Sequence, residues 1–411
     1  MIYPILKSTL VALLCASLAS CGTIARPAPA ALRVVAANLA PTQDPRIRAG
    51  DAPKVIALAQ TFAARMASSS EPHALLALSG GGANGAFGAG VIVGWTERGD
   101  RPVFDIVTGV STGALAAPFA FLGPDWDDEL KAAYAEGETQ GLLSWRTLAA
   151  FVAPSAFSPG TLTHLVEENV TPEMLRAIAA EHARGRRLLV ATTNLDAEET
   201  VIWDLGVLAT QGDAQALILF RQVLVASASI PGVFPPVLIA GLSNGRVITE
   251  MHVDGGVNAP FLGVPEALML WRNPDRSPGR GAIYILVNGQ VSRDYQTTPG
   301  GVLSILSRSY DSMSKAILRT SLMANAGFAE RNGMTLRVAA IPGGIKASSL
   351  DFDSESMARL FELGRSRGAA GEAWAPLDGD MLSPPTIPDE AEGDAGAGAA
   401  EDAGGSLAPT P

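Results

Sequence analysis

The residues best suited to chemistry in this chain are one serine, one aspartate and a run of glycines. Ser111 stands at the centre of Gly109-Val110-Ser111-Thr112-Gly113. The apolar residues Phe104, Ile106, Val107 and Val110 precede it, and helix-forming residues from Ala114 to Phe121 follow, so the stretch reads as strand, sharp turn and helix. A serine on such a turn projects from the carboxyl end of a sheet, where open α/β sheets place their ligands. Gly109 and Gly113 remove the Cβ atoms that would collide with the strand or a substrate. A hydroxyl held that way is an acyl-transfer nucleophile once a base takes its proton. By itself the motif fits plain helix capping by Ser111 or Thr112 equally well.

The base has few candidates. The chain has 4 histidines, His73, His164, His182 and His252. His164 and His182 fall in helical stretches and read as surface residues, whereas His252 lies two residues before Asp254 and shares its strand face by alternation. Asp254 precedes Gly255 and Gly256, which expose it at a strand end. In a partly dry site a carboxylate becomes basic enough to accept the serine proton directly. The structural alternative for Asp254-Gly255 is a turn. Cys15 and Cys21 are the only cysteines and both are N-terminal, so a mature domain has no internal disulfide, zinc-thiolate site or cysteine nucleophile.

The third feature is Gly80-Gly81-Gly82-Ala83-Asn84-Gly85, between the apolar run His73 to Ser79 and a helix from Ala86 to Glu97. Successive glycines at a helix N-terminus can turn their N–H groups toward an anion. Gly-x-Gly-x-x-Gly after a strand is also the dinucleotide fingerprint, with Glu97, Asp100 and Asp105 as acids downstream. One βα unit away from Gly-x-Ser-x-Gly, the loop makes better sense as an oxyanion hole.

Around these motifs, strands and helices alternate. A helix is expected over Lys54 to Met66, and helices at Trp126–Ala135, Leu142–Val152, Thr161–Val166 and Pro172–Ala183 form an insertion able to cap an acyl pocket or simply to cover the sheet. Strands follow at Arg187–Asn194 and Thr200–Asp204, then a helix at Ala214–Ser227 and a stiff apolar connector at Val233–Val237. A β-rich stretch at Val247–Val253, a helix at Leu262–Trp271, a strand at Ala282–Asn288, a helix at Val302–Ala324, a strand at Thr335–Ile341 and a helix at Ser354–Leu363 complete the order. The alternation predicts an α/β fold with a largely parallel sheet covered on both faces, in one domain from about Ala52 to Asp378.

The two ends read differently. Lys7, the apolar run Leu10 to Leu18 and Leu18-Ala19-Ser20-Cys21 form a signal peptide over residues 1–20, too short to span a bilayer. Residues 21–51, with four prolines, read as a tether. The net charge of -11 is mostly in the C-terminal stretch. Asp378, Asp380, Asp389, Glu390, Glu392, Asp394, Glu401 and Asp402 lie there without a Lys or Arg. An acidic Pro/Gly/Ala-rich tail over residues 379–411 cannot bury a core. No basic stripe with interleaved aromatics occurs, so nucleic acid is not an expected partner.

Taken in order, Gly80 to Gly85, Gly109 to Gly113 and Asp254 to Gly256 resemble the patatin-like phospholipase family. Ala191 to Gly206 (ATTNLDAEETVIWDLG) and Ala226 to Val237 (ASASIPGVFPPV) resemble it too. The resemblance implies a three-layer α/β fold and a lipid acyl hydrolase, phospholipase A or a related esterase, that needs no metal or cofactor. It implies Ser111 as nucleophile, Asp254 as base, and the N–H groups of Gly80, Gly81, Gly82 and Ala83 as the oxyanion hole. Many relatives carry Arg or Lys where this chain has Asn84. Leu18 to Cys21 resembles the lipobox of bacterial lipoproteins, which implies lipidation at Cys21 and anchoring in the cell envelope, on membrane that holds the substrate class. Gly22 after the cysteine resembles the outer-membrane pattern. A short-chain esterase or thioesterase on the same fold, and a non-catalytic envelope lipoprotein, remain alternatives.

Overall fold

The computed structural model describes residues 44–382 apart from 49, 69–72, 136–158, 244–245, 271, 273–280, 294, 296 and 378. The expected signal peptide, Cys21, most of the tether, the helix at Leu142–Val152 and nearly all of the acidic tail therefore lie outside the described residues.

The chain runs β1 (Arg46–Arg48), α1 (Ala52–Ser68), β2 (His73–Leu78), a 3-10 turn at Gly82–Asn84, α2 (Gly85–Arg98), β3 (Ile106–Val110) and α3 (Thr112–Leu122). Helices α4 (Asp127–Ala135), α5 (Pro159–Asn169) and α6 (Pro172–Ala183) lead to β4 (Arg187–Asn194), β5 (Glu199–Asp204), α7 (Leu205–Gln211) and α8 (Ala214–Ser227). After β6 (Val237–Ser243) and β7 (Arg246–Asp254) come β8 (Gly281–Val287), α9 (Val302–Arg331), β9 (Thr335–Ala340), α10 (Ser354–Ala370) and the short α11 (Gly379–Leu382).

The sheet is ordered β1-β5-β4-β3-β2-β8-β9. Its five strands from β4 to β9 are parallel, while β5, β1 and the β6–β7 hairpin join antiparallel at the β4 side. Apolar residues on both faces of the parallel strands explain why they need cover on both sides. Leu76, Leu78, Val107, Leu188 and Val190 belong to a core shared with α2, α3, α6 and α8. Their neighbours Leu75, Ala77, Ile106, Leu189 and Ala191 belong to a second core with Leu318 and Leu322 of α9. The result is a three-layer α/β fold with a mostly parallel central sheet.

One register detail decides the rest. Residues 187–191 of β4 pair with β3, but Thr192, Thr193 and Asn194 continue past its end and pair with Asp254, Val253 and His252 of β7. The last residue of β7 therefore fills the place that β3 vacates, directly beyond Val110.

Three expectations change. The helix expected over Leu262–Trp271 is not formed by residues 262–270, where only Glu266–Leu268 makes a 3-10 turn. Val264 N–H there donates to Asn325 Oδ1 of α9 at 2.8 Å. The connector at Val233–Val237 opens into β6, whose pairing with β7 supplies the backbone partners that a glycine-bearing, weakly alternating stretch does not advertise. The sheet also begins ahead of Ala52, since β1 pairs with β5 and Arg46 and Arg48 both meet the Glu250 carboxylate.

Candidate active site

Ser111 sits where β3 turns into α3, with φ 57 and ψ -127. A non-glycine residue in that region is strained and persists only where its surroundings hold it. Those surroundings are tight. A Cβ at Gly109 would lie 2.5 Å from Ala114 Cα, and one at Gly113 would lie 2.5 Å from the Leu78 carbonyl oxygen. The backbone itself is tied down by Ser227, whose Oγ accepts from Ser111 N–H at 3.0 Å and donates to the Ala191 carbonyl at 2.7 Å. Ser227 is a site residue that the sequence reading missed. Its only signal was membership of the Ala226–Val237 segment.

The β4–β7 register delivers Asp254 to this turn. Its Oδ1 accepts from Gly256 N–H at 2.7 Å, and the Ser111 hydroxyl lies close enough to favour the ionised carboxylate. Gly255 is close-packed, because a Cβ there would stand 2.4 Å from the Ala191 carbonyl. Ser111 and Asp254 are both buried. Burial raises Asp254 from 3.8 to about 7, against the Ser111 hydroxyl and the Gly256 hydrogen bond, which favour the ionised form. A carboxylate poised there is a competent general base near neutral pH.

The glycine loop approaches from β2, and Gly80 packs against Ser111, Cβ position to Cβ, at 3.2 Å. It is clamped from β8 by Asn288, whose N–H donates to Ser79 Oγ and whose Nδ2 donates to the Ser79 carbonyl, both at 2.8 Å. Asn288 is a second positioning residue that the sequence did not single out. Of the four amides expected to form an anion site, two are already engaged. Gly80 N–H donates to the Pro260 carbonyl at 3.0 Å, and Ala83 N–H donates to the Ser349 carbonyl at 3.0 Å. Among the described residues, the amides of Gly81 and Gly82 have no such acceptor. Neither position tolerates a side chain: a Cβ at Gly81 would meet the Asn288 carbonyl oxygen at 2.0 Å, and one at Gly82 the Ser349 carbonyl oxygen at 2.0 Å. The N-termini of α2 and α3 both end at this spot, adding positive partial charge. Gly85 approaches Thr112 and Tyr134. Asn84, at the position where relatives carry a cation, is buried and sends no side-chain cap to α2.

The histidines lie apart from the serine. His252 shares the strand face of Asp254 but gives Nδ1 to Thr192 Oγ1 at 2.9 Å and packs its ring against Trp203. His73 pairs through Nδ1 with Asp105 at 3.0 Å before β3, at the opposite end of the sheet from the glycine loop. Asp105 is thereby removed as a dinucleotide ribose ligand. His164 is exposed beside Glu168. His182 is not the surface residue expected: it is half-buried against Asp204, Nδ1 to Oδ1 3.6 Å.

A cavity opens beside the site. Gly82 and Thr112, the residue after Ser111, form part of its wall. Leu115 and Phe119 of α3, Val166 of α5 and Leu224 of α8 make the remainder mainly apolar. The helical insertion thus does line a pocket, through α4 and α5.

Residues 76–265 match the family described as Patatin-like phospholipase. Those residues form a patatin-like phospholipase domain. At the level of the family, the domain is that of a lipid acyl hydrolase. The solved structure of VipD from Legionella pneumophila is similar over 75% of this chain and 68% of that one, with a TM-score of 0.36 and 14% sequence identity. Among curated proteins no match to this chain is found.

Proposed function

We propose that the patatin-like domain is an esterase of phospholipase A type that works through a Ser111–Asp254 dyad. The reading rests on one observation above the others, the burial of Ser111 and Asp254 next to each other beside a mainly apolar cavity. Ser111 Oγ attacks the acyl ester carbonyl while its proton passes to Asp254. The Gly81 and Gly82 amides receive the charge that develops on the carbonyl oxygen. Collapse of the tetrahedral intermediate expels the alcohol, which takes the proton back from Asp254, and leaves an acyl group on Ser111. Water then attacks the acyl-enzyme, giving its proton to Asp254, and the fatty acid departs with Ser111 restored. Asp254 near neutrality suits both proton transfers, because it accepts and returns a proton without a large free-energy mismatch. The apolar wall from Leu115, Phe119 and Leu224 supports an acyl chain as the group bound.

The cellular setting proposed here is a chain acylated on Cys21 and held at the bacterial envelope, in the outer membrane, where phospholipid is at hand. The enzymatic reading is tested by labelling with a fluorophosphonate probe and by lipid profiling of the purified protein beside Ser111→Ala. Labelling at Ser111 and release of free fatty acid by the parent alone are expected. A parent that neither labels nor releases fatty acid would favour the non-catalytic alternative.

A further inference from the structure

The match to the patatin-like family ends at residue 265, but the chain returns to the site after β9. Ile341 N–H donates to the Gly289 carbonyl at 3.0 Å. Gln290 Nε2 donates to the Pro342 and Ile345 carbonyls at 3.1 and 2.9 Å, so residues 341–345 are fixed to the chain just beyond β8. The segment then lies against the glycine loop. The Ser349 carbonyl accepts from Ala83 N–H at 3.0 Å, and its oxygen would stand 2.0 Å from a Cβ on Gly82. Three residues on, the partly buried Phe352 forms wall of the same cavity that Gly82 and Thr112 line, and Met357 in the first turn of α10 joins it.

This side of the wall is held from two directions. Asp353 Oδ2 accepts from Ser356 N–H at 3.0 Å and caps α10. Helix α10 is in turn locked by glycines to α2, which begins at the glycine loop. A Cβ at Gly90 would meet the Phe361 carbonyl oxygen at 2.0 Å, and one at Gly364 the Phe87 carbonyl oxygen at 2.1 Å. Backbones that close do not slide past each other, so a change of bulk at position 352 alters the cavity and is not absorbed by retreat of the wall. The two side chains differ in kind. Phe352 presents a rigid ring, whereas the thioether of Met357 adapts to what it touches. Among the described residues, the cavity wall carries no carboxylate, amine, guanidinium or imidazole, which suits hydrocarbon and not a charged head group.

We propose that Phe352, supplied by the segment beyond the family match, is a specificity-determining residue whose ring limits the bulk of the acyl group admitted to the cavity, with Met357 as the adaptable part of the same wall. The proposal rests on the acyl-hydrolase reading above, which makes the occupant an acyl chain.

The test uses the full chain with the nitrophenyl esters of acetate, octanoate and benzoate. Phe352→Ala should raise kcat/KM for benzoate relative to acetate by roughly tenfold, the range that a pocket's gain of a methylene or more of room commands. Phe352→Trp should lower octanoate relative to acetate by about the same factor. Acetate itself should stay within about threefold of the parent in both, because its methyl group makes little demand on the cavity. Met357→Leu, which conserves volume, should leave both ratios within about threefold. Leu350→Ala changes a side chain of the same segment that is 50% exposed and outside the cavity wall, and should leave the ratios unchanged.

A binding measurement needs no turnover. In a Ser111→Ala background decanol should bind by calorimetry, and adding Phe352→Trp should weaken it by about fourfold or more, the worth of one buried methylene. Unchanged ester ratios in folded, acetate-cleaving Phe352 variants would overturn the proposal and leave the hydrolase reading intact. Leu350→Ala moving the ratios as far as Phe352→Ala would also overturn it, since the loop and not the ring would then set the preference. A parent that cleaves no ester would defeat the hydrolase reading alone if decanol binding still depends on residue 352, and both readings if it does not.

Discussion

Asp254→Asn is expected to lower turnover by about 10³-fold and to stabilise the fold, and both effects trace to the same carboxyl group. Burial holds the carboxyl at about 7 instead of 3.8. Below about pH 4 native and unfolded chains both carry the proton, and the group costs nothing. Between about pH 4 and 7 the unfolded chain has released its proton while the native chain keeps it, so native stability falls as pH rises. Above the native value both are ionised and the full cost is present, about 4 kcal/mol at roughly 1.4 kcal/mol per pH unit. An amide does not titrate, yet its oxygen can still accept from Gly256 N–H and the Ser111 hydroxyl. The unfolding free energy of Asp254→Asn minus that of the parent should therefore rise by about 4 kcal/mol from pH 4 to pH 8 and then level off. Urea unfolding of the two proteins at stepped pH measures this difference and cancels the titration of every other group. In the same series kcat should fall by about 10³-fold. The parent's kcat/KM on a soluble ester should show an acid limb near pH 7, since only the ionised carboxylate accepts the serine proton. A stability difference that stays flat from pH 4 to pH 8, or an acid limb near the ordinary carboxylate value, would refute the reasoning.

Other outcomes follow from particular contacts. His252→Gln should keep kcat within about threefold while lowering Tm, because the ring serves Thr192 and Trp203 and not Ser111; loss comparable to Asp254→Asn in a folded protein would replace the dyad with a histidine mechanism. Ser227→Ala removes the acceptor of Ser111 N–H and should lower kcat by about tenfold with KM little changed, read by steady-state kinetics. Leu115→Trp fills part of the cavity wall and should move the acyl-ester profile toward shorter chains, measured over a series of nitrophenyl esters. Cys21→Ser should release the mature domain's lipid attachment, seen as loss of the acyl mass at the N-terminus.

Local chemistry was legible in the sequence, and long-range placement was not. Strand, turn and helix around Ser111, the glycine loop after β2, and the exposed Asp254-Gly255-Gly256 are each specified by neighbours within a few residues, through apolar periodicity and glycine. The alternation of strands and helices likewise required a two-faced parallel sheet. What tertiary structure decided depends on groups distant in sequence. Ser111 meets Asp254 because β4 outlasts β3 and leaves a place for the end of β7, a register that no local pattern encodes. The amides of Gly80 and Ala83 are taken by the carbonyls of Pro260 and Ser349. Those partners lie far along the chain, so the usable donors could not be counted beforehand. The 3-10 turn at Glu266–Leu268 replaced an expected helix for the same reason, since Asn325 captures the backbone there. The Asp254 carboxyl is pushed up to about 7 only because packing removes water from it, and desolvation is a property of the assembled site.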